Sequence, residues 1–257
     1  MKLYLAGSLV FLKSLISPIT MHSADQSFVA LFRNIKEFHD FSSLDLEKTA
    51  QSCHQQHHVA GEEIVRYHDH TNSVFFILKG AIRINYYAVS GDEVILCDLP
   101  AGEMFGELTA IDGLPRSATA IAKTDTLLAF IPAQAFLQLI HINPAFCTAI
   151  LKRLTSQVRR LTERVYDFSS LDVCDRIYSE LLRMAREKMV SPNAALISPA
   201  PTHSELACLV STSREEVSRT MKELKRKNLV MCNGRHWHVL DVAKLTRMVN
   251  EVRGSLG

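Results

Sequence analysis

The 257 residues predict an α+β protein: an all-β domain, a long paired helix, and a winged helix-turn-helix. Three observations carry this reading. Between Val59 and Ile131, short apolar runs alternate with turn signals. From Cys147 to Phe168, apolar residues recur at alternating steps of four and three. Beyond Pro201, two capped helices and an Asn-Gly hairpin follow one another closely.

Composition narrows the class. Charged residues make up 22% of the chain and the hydrophobic set 47%, ordinary for a globular protein and foreign to disordered, collagen-like or polytopic membrane chains. The net charge of +2 conceals an asymmetry. Residues 26–140 hold 8 basic and 14 acidic side chains, whereas residues 141–257 hold 19 and 12. The second half is therefore the candidate for a polyanionic partner. The six cysteines stand singly, without a C-x-x-C pair, and read as reduced thiols of a cytoplasmic protein. Five of the eleven histidines (His54, His57, His58, His68 and His70) cluster and read as polar loop residues rather than metal ligands. No nucleophile–base pair or metal set emerges, so no enzyme is expected.

The elements follow in order. Residues 1–24 are expected to lie outside the folded domains: Leu3–Leu12 resembles a secretory h-region, yet it is too short to span a membrane, and Met21 is an alternative start. Residues 25–142 form the first domain. Phe28, Leu31, Phe32, Ile35 and Phe38 at helical spacing lead into Ser43, a cap for a second short helix. Runs such as Val74–Leu78, Val94–Leu96 and Leu127–Ile131 then read as strands of a sandwich or barrel. Residues 143–171 form one helix, with Asn143 as cap and Pro144 in the first turn. Its seam is Leu151, Leu154, Val158, Leu161, Val165 and Phe168, which points to a two-fold homodimer. Residues 172–250 form the last domain. A helix from Asp172 ends before a proline-bearing loop (Pro192, Pro199, Pro201), and capping-box starts at Thr202–Glu205 and Ser213–Glu216 open the two helices of the helix-turn-helix.

Two groups of residues carry chemistry. On the second of those helices Val217, Met221 and Leu224 face inward, while Arg214, Glu215, Ser218, Arg219 and Lys222 form a polar face just after Ser213. A major-groove helix presents its N-terminal side chains to base edges first; Arg matches guanine's paired acceptors and Glu the cytosine amino group. Lys222, Lys225, Arg226, Lys227 and Arg235 would attract phosphates without sequence preference. In the β domain, the segment Phe105–Thr119 combines a glycine for close backbone approach (Gly106), an acceptor (Glu107), and Arg116 with Ser117 as donors to a phosphate.

Taken together, these residues carry a resemblance. Gly106–Ala118 resembles the phosphate-binding cassette of cyclic-nucleotide-binding domains. Arg214-Glu215-Glu216-Val217-Ser218-Arg219 and the Leu171-Asp172-Val173 junction are similar to those of the catabolite activator (cAMP receptor) group of Crp/Fnr transcription regulators. The resemblance spans about residues 28–245 and implies an antiparallel, jelly-roll-like β-roll as the first domain. It implies that Glu107 binds the ribose 2′-hydroxyl, that Arg116 and Ser117 bind the cyclic phosphate, and that Phe105, Gly106 and Leu108 line the pocket. It further implies that Arg214, Glu215 and Arg219 read a G-T-G-A-type half-site, with Thr202 on the DNA backbone and RNA polymerase as a further partner. In the cAMP-responsive member a Thr-Ser pair meets the purine from both subunits where this chain has Leu161-Thr162, which implies that these two belong to the ligand site as well as the seam; Thr162 can bond a base and Leu161 cannot. The effector is accordingly cAMP, cGMP or both. Two alternatives keep part of the scaffold: a family member with a redox, haem or gas input, and a regulatory subunit without DNA binding.

Overall fold

The computed structural model describes residues 26–87 and 93–254, so the expected leader lies outside the described residues. Helices α1 (Gln26–Phe32) and α2 (Ser43–Gln51) precede eight strands. These are β1 (His54–His58), β2 (Glu63–Val65), β3 (Val74–Lys79), β4 (Ala81–Tyr87), β5 (Glu93–Pro100), β6 (Met104–Phe105), β7 (Thr119–Ala122) and β8 (Thr126–Ile131), with α3 (Glu107–Asp112) between β6 and β7. They form two antiparallel sheets, β1-β8-β3-β6 and β2-β7-β4-β5. This is the β-roll that the resemblance implies.

Strand β3 shows how the roll is held. Its continuous apolar run has no alternation because both faces are covered. Phe75 and Ile77 enter the cluster between the sheets, with Val65, Ile82, Phe105 and Leu128, while Val74, Phe76 and Leu78 face a second cluster under the helices. That second cluster is largely aromatic: Phe32 and Phe38 pack on Phe76 and on each other, and Phe146 stacks on Phe38, at centroid separations of 5.0–5.9 Å. It also receives helix α4 (Ala133–Ile142) and the first turns of α5 (Pro144–Ser170), whose Asn143 cap accepts from Phe146 N at 3.0 Å. Helix α5 has 27 residues, about 40 Å at the usual rise.

The C-terminal unit starts with α6 (Val173–Glu187), capped by Asp172. The expected proline-bearing loop contains a hairpin instead, β9 (Met189–Ser191) and β10 (Ala194–Ile197), turning at Pro192-Asn193. The prolines lie outside the paired residues, which is why they fail to disrupt it. Helices α7 (His203–Val210) and α8 (Arg214–Arg226) pack across an αL Ser211. Strands β11 (Val230–Asn233) and β12 (His236–Val239) form the wing, joined at Gly234 and completed by β10 and β9. A final helix, α9 (Val242–Arg253), starts at Asp241 and buries Val242, Leu245 and Val249. The expected domain end at residue 250 falls inside it. The histidines of residues 54–58 also differ from expectation: they lie on β1, paired with β8, rather than in a loop.

Two ion-pair groups fasten the units together. Arg83 on β4 chelates Asp98 (2.8 and 3.0 Å) and donates to Glu205 on α7 at 2.6 Å, with Lys123 beside both carboxylates. Arg253 of α9 grips Asp167 of α5 with both oxygens at 2.7 Å. Among the described residues, no single helix is long and apolar enough to cross a membrane.

Candidate ligand site and nucleic-acid interface

The cassette is built around a buried arginine. Strand β6 ends at Phe105, whose ring stacks on Phe75 at 4.8 Å, and the chain then turns through Gly106 at φ +84°. A Cβ at this position would stand 2.6 Å from Arg116 Nη1 and 2.9 Å from the Ser73 carbonyl, so only glycine fits. Arg116 is 2% exposed and its guanidinium lies over the Phe75 ring. It donates to Thr71 Oγ1 (3.1 Å), the Gly106 carbonyl (3.1 Å) and the Ser73 carbonyl (2.8 Å). A guanidinium has five N–H groups, so two remain for an anion. Burial presses the Arg116 pKa below its ordinary value, opposed by the charges of Asp69 and Glu107. An incoming anion would restore what desolvation has removed.

Glu107 is 4% exposed and reaches toward α5, with Oε1 3.4 Å from Gln157 Nε2 and 3.9 Å from Arg153 Nε. Arg153 donates to Glu37 (3.1 Å), Glu103 (2.6 Å) and the Met104 carbonyl. Burial lifts the Glu37 carboxyl above the usual range in spite of Arg153. A residue of the expected pocket is thus wired directly into the long helix. Ser117 is exposed, and its carbonyl accepts from the Tyr86 hydroxyl; Leu108 is 41% exposed. Reasoning from sequence missed Thr71, Tyr86, Arg153 and Gln157. All four act across strands or helices, and no local spacing announces them.

The expected seam divides. Leu151, Val158, Leu161 and Val165 are 53–66% exposed and form one outward stripe. Leu154 instead packs on the helix-covered cluster of the β domain. Phe168 lies between the guanidinium groups of Arg164 and Arg176, each 5.6 Å from its centroid. Thr162 is exposed and donates to the Val158 carbonyl of its own helix. Thr162 therefore stands away from the helix face that carries Gln157 and Arg153, whereas Leu161, four residues beyond Gln157, lies at the border between that face and the outward stripe.

On α8, Arg214, Glu215, Arg219 and Lys222 are exposed. Ser213 caps the helix by accepting from Glu216 N at 3.2 Å, but Glu216 turns to Arg219 instead of completing the box. The Thr202 box on α7 is complete, with Glu205 accepting from Thr202 N at 2.7 Å. Two expected DNA contacts are engaged internally. Ser218 shares a 2.9 Å hydrogen bond with His203 Nδ1, and Arg235 donates to the Ala200 carbonyl at 2.9 Å with Glu205 3.5 Å away. Burial would raise the Glu205 pKa, but the Thr202 amide, Arg83 and Lys123 hold it at about 2.

A roll with a buried arginine beside a glycine turn, a long helix touching the Glu107 carboxylate, and a winged helix with a basic exposed face define a class: transcription regulators that bind cyclic nucleotides and DNA. Comparison with known proteins agrees. Residues 55–143 match the cyclic nucleotide-binding domain family and residues 175–248 the Crp-like helix-turn-helix domain. The chain is 34% identical over 197 residues to the cAMP-activated global transcriptional regulator CRP of Salmonella typhimurium, covering 74% of this chain and 91% of that one. It is 29% identical over 196 residues to the cAMP-activated global transcriptional regulator Vfr of Pseudomonas aeruginosa, covering 74% and 91%. It belongs to the Crp/Fnr family, in the CRP group. Solved structures share the fold. A CooA variant from Carboxydothermus hydrogenoformans gives a TM-score of 0.71 at 19% identity over 90% of this chain and 99% of that one. The regulator CLP of Xanthomonas campestris gives 0.63 at 24% identity over 78% and 99%.

Proposed function

We propose that the chain is a cytoplasmic homodimer that binds cAMP, cGMP or both, and in that state recognises two-fold symmetric DNA with G-T-G-A-type half-sites. One observation carries the reading: Arg116 is buried with N–H groups to spare beside Glu107, and Glu107 touches Gln157 and Arg153 of α5. Filling the cassette therefore acts on the helix whose outer stripe is apolar and open. A stripe at heptad spacing left in water is unfavourable, and a second copy of the same helix covers it. Arg116 and Ser117 hold the cyclic phosphate, Glu107 accepts from the ribose 2′-hydroxyl, and Gly106, Phe105 and Leu108 shape the wall. Leu161 and Thr162 lie where the purine meets the paired helices, Leu161 tightening the seam and Thr162 able to bond the base.

At the other end, Arg214, Glu215 and Arg219 read base edges, with Thr202, Ser213 and Lys222 close to the phosphates. The recognition helices of the pair must stand about 34 Å apart to enter successive major grooves. Ligand shifts the population toward that spacing only through tighter binding to it. RNA polymerase is the expected partner of the DNA-bound form.

Gel-shift titration of a palindromic G-T-G-A operator without nucleotide, with cAMP and with cGMP tests the reading, alongside sedimentation equilibrium. A dimer whose operator affinity rises at least about tenfold with either nucleotide is the expected result. A monomer, or affinity indifferent to both nucleotides, rejects it and returns the choice to a different input on the same scaffold.

A further inference from the structure

The face of α5 turned toward the roll carries four polar residues, Arg153, Gln157, Arg160 and Arg164, at steps of four, three and four. Such spacing places them on one stripe. The partners of three are already fixed. Arg153 is taken up by carboxylates and the Met104 carbonyl, and Gln157 by Glu107. Arg164 donates to the Leu96 carbonyl at 2.6 Å and the Leu209 carbonyl at 2.9 Å. Arg160 is different: its partner is the Cys97 thiol, a weak acceptor, and among the described residues no ion pair includes it. Arg164 repels it from one turn away. Here is a half-buried guanidinium without an adequate acceptor.

The place it occupies is informative. Cys97 pairs with Ile84 and lies two residues before Leu99 on β5; both Ile84 and Leu99 pack on the cluster between the sheets. Cys97 therefore faces the interior of the roll. Two residues beyond Ile84 on β4, Tyr86 shares that face and bonds Ser117 of the cassette. A wall of Ser117, Tyr86, Ile84 and Cys97 thus runs from the phosphate donors to Arg160. The helix gives the same placement. Glu107, the ribose acceptor, touches Gln157, and Arg160 is one turn further along the same stripe, about 5–6 Å away.

We propose that Arg160 reads the purine and makes this chain prefer guanine, hence cGMP over cAMP. The proposal rests on the cyclic-nucleotide reading of the cassette. Guanine presents O6 and N7, two adjacent acceptors that match the paired N–H groups of a guanidinium; adenine replaces O6 with an amino donor that opposes them. A neutral thiol releases Arg160 easily to such a partner. Leu161, four residues beyond Gln157, has no hydrogen-bonding group, so at this level of α5 Arg160 is the side chain on the roll-facing stripe able to bond a base edge.

Titration calorimetry on the full-length protein with cGMP, cAMP and the 3′,5′-cyclic monophosphate of inosine decides it. Inosine keeps O6 and N7 but lacks guanine's 2-amino group. The expected result is that cGMP and the inosine nucleotide bind about tenfold more tightly than cAMP. In Arg160→Ala and in the milder Arg160→Gln that advantage disappears through weaker binding of cGMP and the inosine nucleotide, with cAMP affinity unchanged or raised. Equal or cAMP-favouring affinity in the unmodified protein, or an advantage that survives both substitutions, overturns the proposal while the cassette reading stands. Should all three nucleotides fail to bind, or bind Arg116→Ala as well as the unmodified protein, the cassette reading itself is what has failed.

Discussion

The roll and the recognition helix present their basic side chains in opposite ways. In the roll, Arg116 is 2% exposed, fixed by Thr71 and two backbone carbonyls, and underlain by Phe75. On the recognition helix, Arg214, Arg219 and Lys222 lie open to water, and Arg219 is held only by a 3.1 Å pair with Glu216. The difference teaches what each site can discriminate. A desolvated, pre-aimed donor suits one small anion of fixed shape. Flexible, solvated donors suit a polymer whose charge is read collectively and screened by salt.

The largest expected effect lies at the buried site. Arg116→Ala removes two charge-assisted hydrogen bonds to the ligand, at about 1.5–3 kcal/mol each, and should weaken cyclic-nucleotide binding by about 100-fold or more. Non-specific DNA affinity without nucleotide should not change. Calorimetry and filter binding read the two halves separately, and a parallel loss in both would erase the contrast.

At the exposed site a smaller effect splits by residue. Arg214→Ala should cost the cognate operator about 1–3 kcal/mol and spare unrelated DNA, whereas Lys222→Ala should weaken both alike. The salt dependence of log K should then flatten by about one unit in Lys222→Ala, as expected for one lost phosphate contact. Gel shifts at several salt concentrations measure this; identical salt slopes would remove Lys222 from the backbone contacts.

The smallest effect concerns the junction between the two sites. The Glu205 pKa of about 2 lies below the ordinary carboxylate value near 4.3, so its ionised form stabilises the fold above that range. The contribution fades as pH falls toward about 2. Glu205→Gln should lower the thermal midpoint by a few degrees at pH 7 and by less at pH 3. Calorimetric scans at the two pH values test the sign, and an equal drop at both would assign the effect to helix capping alone.

How much could be read before the structure depended on where each partner sits in the chain. Gly106 and Arg116 are ten residues apart and belong to one contiguous segment, so the cassette was legible. The strings Thr202–Glu205 and Ser213–Arg219 are equally local. Arg153 was not legible as a cassette neighbour, because its carboxylates lie 116 and 50 residues away. Seven apolar positions suggested one seam on α5, yet a helix of 3.6 residues per turn drifts against a seven-residue repeat, and this helix is covered on two sides. Leu154 therefore falls to the roll and Phe168 to the arginines of the junction. Pro192 and Pro199 concealed a hairpin. In α9, Asp241 with Val242, Leu245 and Val249 was a cap and stripe that could have been found.

Glu205 closes the first turn of α7 and, with the same carboxylate, is moored to Arg83 of the roll. A reading head borrowed from a relative would therefore arrive with its own start signal and possess no mooring unless its position 205 and the strand residue at 83 travelled as a set. In chimeras of such regulators, the unit of exchange is this pair and not the boundary drawn between the domains.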